Sequence, residues 1–288
     1  MGRKTRRRKE IAQPFGTCSE YFREEAGTFA LIEQAWLQFS GIGPKTVEKL
    51  HSYGFFSWTD AIEKTEELPL GRKQRETLLA EIATYQEEKK QNNIAFFNQK
   101  LHASDKWRLL GDFFEEISYF DIETNGMLYG DNITVITCLH RNQLYQFTNG
   151  SNLDDFLDLL EDVRLLASFN GTSFDVPVVC QFYNIPAIPC PHIDLRWVCY
   201  HLGLRSGLKR IEKRLAIVRP KDLQGVDGTD AILLWHRWIH YQDRKSLEQL
   251  IRYCSVDSIS LKVLSSKILE KYQVVVDCEP TDKLWNLL

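Results

Sequence analysis

Two carboxylates in Ile117-Ser118-Tyr119-Phe120-Asp121-Ile122-Glu123-Thr124 are the first groups in this chain whose types and spacing could do chemistry. The apolar, β-favouring lead-in predicts a buried strand, and strand alternation turns Asp121 and Glu123 to one face with Ile122 on the other. In a buried setting such a pair costs several kcal/mol of repulsion and desolvation unless a cation sits between its members. At a strand end on the surface both would simply be solvated. Further on, Asn170-Gly171-Thr172-Ser173-Phe174-Asp175 follows a short apolar run. A glycine-containing polar loop leading to an acid at a helix start is a common place for a site, and Asp175 equally suits an N-cap. Tyr253-Cys254-Ser255-Val256-Asp257 has the four-residue spacing that puts phenol and carboxylate on one helical face, as a plain surface pair also would. His192 and Asp194 offer an extra ligand pair, although strand-end and capping roles suit them better.

The elements that must position these groups alternate between strand and helix. Residues 133–139 alternate as a strand, 143–147 can pair with them as a hairpin, 153–161 form an acidic amphipathic helix, and 165–169 read as a short buried strand. Residues 247–267 read as one amphipathic helix that carries Tyr253 and Asp257. The order predicts an α/β domain. Arg205, Lys209, Arg210, Lys213 and Arg214 form a basic helix face that could follow a phosphate backbone or simply be solvated. Trp235 and Trp238 could stack on bases, but their spacing fits a core stripe better.

Ahead of this domain, residues 21–91 are predicted to be mostly helical. Within them, Gly41-Ile42-Gly43-Pro44-Lys45 allows a tight reversal with positive φ, followed by a helix with Pro44 in its first turn. The amides of that turn, with Lys45 beside them, make a phosphate-sized anion site. A helical hairpin whose glycines merely permit a turn would have the same sequence. Asn92 and Asn93 are expected as a hinge, and the domain boundary is placed near Asn98. The expected organisation is a basic arm over 1–20, a helical domain over 21–98 and an α/β domain over 99–288.

Taken in order, the three acidic segments resemble the DEDD exonuclease superfamily of the ribonuclease H-like fold, in its tyrosine-containing class. Phe120 to Thr124 is similar to the first motif, Phe169 to Asp175 to the second and Tyr253 to Asp257 to the third. The second motif and Gly207-Leu208-Lys209-Arg210-Ile211-Glu212 look most like the YprB-like branch. The segment around Gly41 and Gly43 resembles a helix-hairpin-helix DNA-binding motif, with Ser40 where a proline often stands. The resemblance implies a ribonuclease H-like mixed sheet flanked by helices, with a small all-α helix-hairpin-helix domain before it. It also implies that Asp121, Glu123, Asp175 and Asp257 hold two divalent ions, that Tyr253 orients the attacking water, and that Asn170 helps hold the substrate strand. Oxygen-only ligands favour Mg2+ or Mn2+ over zinc. Gly41, Ile42, Gly43 and Lys45 would grip nucleic-acid backbone without reading bases.

The whole chain is compatible with that expectation. It has 288 residues, 43% hydrophobic and 26% charged, enough for one large and one small domain. The net charge of −3 is uninformative, but Arg3, Lys4, Arg6, Arg7, Arg8 and Lys9 make an arm suited to salt-sensitive phosphate contacts or to plain solvation. There is no apolar run of about 18 residues and no apolar core after the basic N-terminus, so neither a membrane span nor a secretory signal is expected. Seven scattered cysteines without a Cys-x-x-Cys pair suggest reduced thiols in the cytoplasm. The expected activity is metal-dependent 3′–5′ exonuclease action on nucleic acid, DNA favoured and RNA possible. The alternatives are an RNA-trimming or structure-selective nuclease and a non-catalytic nucleic-acid-binding adaptor.

Overall fold

The computed structural model describes residues 31–127 and 132–288, so the arm over 1–20 and the expected helical start over 21–30 lie outside the described residues. A 3-10 turn, Leu31–Gln34, leads into α1 (Pro44–Ser52), α2 (Trp58–Glu63), α3 (Arg72–Lys90) and α4 (Ile94–Lys100). Their starts follow local chemistry. Pro44 sits in the first turn of α1, where a missing N–H costs nothing. Ser57 and Asp60 form a capping box on α2. Asn92 reverses the chain after α3 with φ 52° and Asn93 caps α4, so the asparagine pair expected as a hinge is a capped turn between helices.

Position 98 lies inside α4. The helical region and the segment after it share one apolar core, in which Trp36, Phe39 and Trp58 cluster with Tyr119, Leu165 and Leu269. Polar bonds cross the same ground: the Leu31 and Ile32 N–H groups donate to the Asp112 carboxylate at 2.7 and 2.8 Å, and Asn98 Nδ2 donates to the His192 carbonyl at 3.0 Å.

After α5 (Trp107–Asp112) come the strands β1 (Ile117–Thr124), β2 (Ile133–His140), β3 (Gln143–Thr148), β4 (Leu165–Ser168) and β5 (His192–Asp194). They form one sheet in the order β3-β2-β1-β4-β5. β1 is antiparallel to β2 and parallel to β4, β2 and β3 make the expected antiparallel hairpin, and β5 lies parallel to β4. The helices are α6 (Asp155–Glu161), α7 (Asp175–Phe182), α8 (Leu195–His201), α9 (Leu208–Arg214), α10 (Gly228–Tyr241), α11 (Arg244–Lys271) and α12 (Thr281–Leu284). This is the mixed sheet flanked by helices that the family resemblance implies.

Strand alternation assigns the two faces. Phe120, Ile122 and Ile136 cluster with Phe156 and Leu160 of α6 and Val179 of α7. Val135, on the other face, clusters with Leu234 and Trp235 of α10 and Leu250 and Tyr253 of α11. Trp238 packs against that second cluster, so both tryptophans form the core stripe. No helix among the described residues is long and apolar enough to cross a membrane, and the six described cysteines are free.

One feature of the pairing sets up the site. β4 accompanies β1 only from Ile117 to Tyr119, so the stretch from Asp121 onward outruns its parallel neighbour. The chain leaves β1 toward β2 on one side and β4 toward β5 on the other. In open α/β sheets, ligands bind at such a divergence, beyond the carboxyl ends of the strands.

Candidate functional site

Beyond the end of β4 lies a cavity of about 630 Å3 whose wall includes Asp121, Glu123, Asn170, Asp175, Tyr253 and Asp257. Carboxylate oxygens of Asp121, Glu123 and Asp257 all lie within 4.8 Å of one another. The first two come from one face of β1, as strand alternation requires. The third comes from α11, which reaches the sheet through a seam of small polar side chains. Ser258 Oγ donates to the Thr137 carbonyl at 3.0 Å and lies 2.8 Å from Thr137 Oγ1, while Gln146 Nε2 donates to Ser255 Oγ at 3.1 Å. Cys254 Sγ lies 3.4 Å from the Asp121 carbonyl and 3.6 Å from its carboxylate.

Asp175 enters the same cavity, but not as the N-cap its position suits. Phe174 holds the N-cap position and Asp175 is the first residue of α7, only 4% exposed. Its carboxylate accepts from its own backbone N–H and from that of Ile122. The Ile122 amide is available because β1 has run past β4, so the unpaired strand edge turns a helix-start acid inward. Asp175 is not one of the three carboxylates grouped within 4.8 Å.

The loop before α7 is built around a different acid. Asp194 accepts from Asn170 N at 2.8 Å, Thr172 N at 3.1 Å and Thr172 Oγ1 at 2.5 Å, and also caps α8 by accepting from Arg196 N at 3.0 Å. It is a loop-building and capping residue. His192 Nε2 lies 2.8 Å from Ser168 Oγ, and burial pushes its pKa down to about 4, so it stays neutral at pH 7. Gly171 permits this packing, since a Cβ there would lie 1.8 Å from Ser168 Oγ. Asn170 adopts φ 70° and its Oδ1 accepts from Arg196. Only its amide nitrogen remains to meet a ligand oxygen.

The site is dominated by excess negative charge. Burial, then Asp257, Asp175 and Glu123, hold the Asp121 carboxyl well above the usual carboxylate range. Burial followed by Asp257 and Asp175 does the same to Glu123. Asp175 is raised to about 7, mainly by burial. The Tyr253 phenol is pushed up by burial and then by Asp257, Glu123 and Asp121. Lys209 Nζ donates to Tyr253 Oη at 3.1 Å, so this residue of the expected basic face turns toward the acids.

A second cation, Arg219, was not legible in the sequence. It donates through Nε and Nη2 to Glu212 at 2.8 and 2.9 Å, and through Nη2 to Asp257. Arg219 follows α9 after a left-handed break at Ala216, and no spacing rule links a residue there to α11. An arginine beside a proline, after an apolar run, is the only local signal. Among the described residues, Asp121, Glu123, Asp175 and Asp257 share the cavity wall with Lys209, Arg210 and Arg219, and Glu212 takes up part of the Arg219 charge.

The glycine hairpin lies in the helical region. Gly41 takes φ 74°, whereas Gly43 is extended at φ −103° and leads directly into α1, so the reversal with positive φ is made at the first glycine alone. Ile42 is buried, Lys45 is exposed beside the helix start, and Gln74 Nε2 donates to the Gly41 carbonyl at 2.9 Å. Ser40 donates through N and Oγ to Glu81 at 2.9 and 2.5 Å, which ties the turn to α3.

An all-oxygen donor set in which acids outnumber cations fits a hard divalent ion. A family model described as the RNase H superfamily matches residues 118–269, more than half of the chain, from β1 into α11. Comparison with curated proteins and with solved structures found no match.

Proposed function

As this chain belongs to the RNase H superfamily, we propose that it is a metal-dependent exonuclease of the tyrosine-containing DEDD class, hydrolysing nucleic acid from the 3′ end with DNA favoured. One observation carries this reading: Asp121, Glu123 and Asp257, from elements far apart in the chain, offer oxygens within 4.8 Å of one another in a cavity that also holds Asp175 and Tyr253. These carboxylates would hold Mg2+ or Mn2+, as a pair of ions in this class. Such ions supply Lewis-acid activation of water and charge for the leaving 3′-oxygen.

The chain's own residues do the rest. Asp175, anchored by the Ile122 amide, closes the acidic wall. Tyr253 stays a neutral phenol, and because Lys209 donates to its oxygen, its own proton is free to orient a water or phosphate oxygen. Asn170 presents its amide nitrogen to the strand entering the cavity. Phe174, 44% exposed on the cavity wall, gives that strand an apolar surface.

The hairpin at Gly41 to Lys45 supports a helix-hairpin-helix reading, in which exposed backbone and Lys45 meet phosphates. The preference for DNA rests on it. The test is Mg2+-dependent digestion of 5′- and 3′-labelled single- and double-stranded DNA and RNA. A ladder shortening from the 3′ end, lost in Asp121→Ala and Asp257→Ala with binding retained, is expected. Undiminished digestion by Asp121→Ala would remove the assignment, and faster digestion of matched RNA would reverse the substrate preference.

A further inference from the structure

Two guanidiniums line the cavity, Arg210 and Arg219, and it is Arg219 that pairs with an acid of the cup, Asp257. The Arg219 side chain is 8% exposed and that of Glu212 3%. Two parallel bonds to Glu212 set the guanidinium plane, and Nη2 reaches on to Asp257. Burying such a triad is costly unless every polar group finds a partner. One does not. Nη1 is buried without a hydrogen-bond partner among the described residues, while Arg219 lines the cavity together with Asp121, Glu123 and Tyr253. A buried donor left without an acceptor beside a cavity is one that an oxygen from outside the chain can satisfy once the guanidinium turns toward it.

Resting on the nuclease reading, we propose that Arg219 serves as a resident second cation until nucleic acid arrives. It neutralises Asp257, leaving Asp121 and Glu123 to carry a single divalent ion. An incoming phosphate gives Nη1 its missing acceptor and draws the guanidinium from Asp257, which frees that carboxylate for another ion. Metal loading is thereby tied to substrate. A lysine at 219 would keep the charge but lose the bidentate bond to Glu212.

The experiment is a Mn2+ titration followed by calorimetry and by the paramagnetic signal of free Mn2+, with and without a hydrolysis-resistant phosphorothioate oligonucleotide. The wild-type protein is expected to bind one ion alone and two with the oligonucleotide. Arg219→Met should bind two without it, the second at least about tenfold tighter than in the wild type, whereas Arg219→Lys should stay at one. Wild-type protein binding two ions tightly by itself would overturn the proposal even if Arg219→Met fails to fold. So would an Arg219→Met protein that folds and binds as the parent does. Unchanged Mn2+ binding in Arg219→Met, with metal-dependent digestion intact in the parent, removes only the role of Arg219. Absence of Mn2+ binding in both proteins under all conditions removes that role and the nuclease reading together.

Discussion

Tyr253 shows how far surroundings decide what a side chain can do. A phenol is already a weak base partner at neutral pH, and burial beside three carboxylates moves it further from titration. Lys209 approaches its oxygen without being placed to take its proton, since an ammonium only donates. On the proposed nuclease reading, positioning is the role left to it. Tyr253→Phe is therefore expected to lower kcat by roughly 10- to 100-fold, the scale of a lost orienting contact, with Mn2+ affinity unchanged in calorimetry. Its pH–rate profile should keep the shape of the parent's. Loss of an alkaline limb in the variant would mean that the phenol titrates and acts as a base.

At the scale of elements, two features matter: a strand that outlasts its neighbour and a helix that comes close because its contact residues are small. Ser258 is fully buried between α11 and Thr137. Ser258→Leu overfills that seam, at a cost of about 1–3 kcal/mol, and pushes Asp257 off the cup. The expected result is a lower thermal midpoint together with weaker Mn2+ binding, and retention of full Mn2+ affinity would detach helix spacing from the site. The hairpin offers a cleaner case. A Cβ on Gly43 meets nothing within 4 Å and its φ of −103° suits any residue, while Gly41 at φ 74° does not tolerate one easily. Gly43→Ala should leave folding intact and weaken binding to all oligonucleotide sequences alike, because a methyl there blocks only an approaching phosphate. A loss confined to some sequences would contradict backbone recognition.

For the whole molecule, the cup is a store of repulsion that stability must carry. Asp175 has a folded pKa of about 7 against an ordinary 3.8, and Asp121 and Glu123 are shifted in the same direction. The folded state then binds more protons than the unfolded state between these values, so stability falls as pH rises through that window. Metal-free protein is expected to melt at lower temperature at pH 8 than at pH 5. Mn2+, which prefers the deprotonated acids, should raise the midpoint more at pH 8. Asp121→Asn, which removes one repelling charge, should raise the metal-free midpoint at pH 8 by ~2–4 °C per kcal/mol relieved while abolishing turnover. A metal-free midpoint that climbs between pH 5 and pH 8 would show that these acids are not strained.

Local patterns carried the elements. The period-two run at 117–124 corresponds to β1 residue for residue, the 143–147 strand gains only Thr148, and the helix read over 247–267 extends to Arg244–Lys271. Within one strand or one helix, geometry alone puts Asp121 beside Glu123 and Tyr253 a turn from Asp257, so those pairings were legible. What tertiary structure decided lies between elements. Asp175 abandons the cap its sequence suits because β1 leaves the Ile122 amide unpaired. Arg219 enters the cup from an irregular segment with no periodicity to announce it. Neighbouring residues set a side chain's direction through backbone geometry, but whether it meets an amide, an acid or water depends on which distant segment the core brings against it.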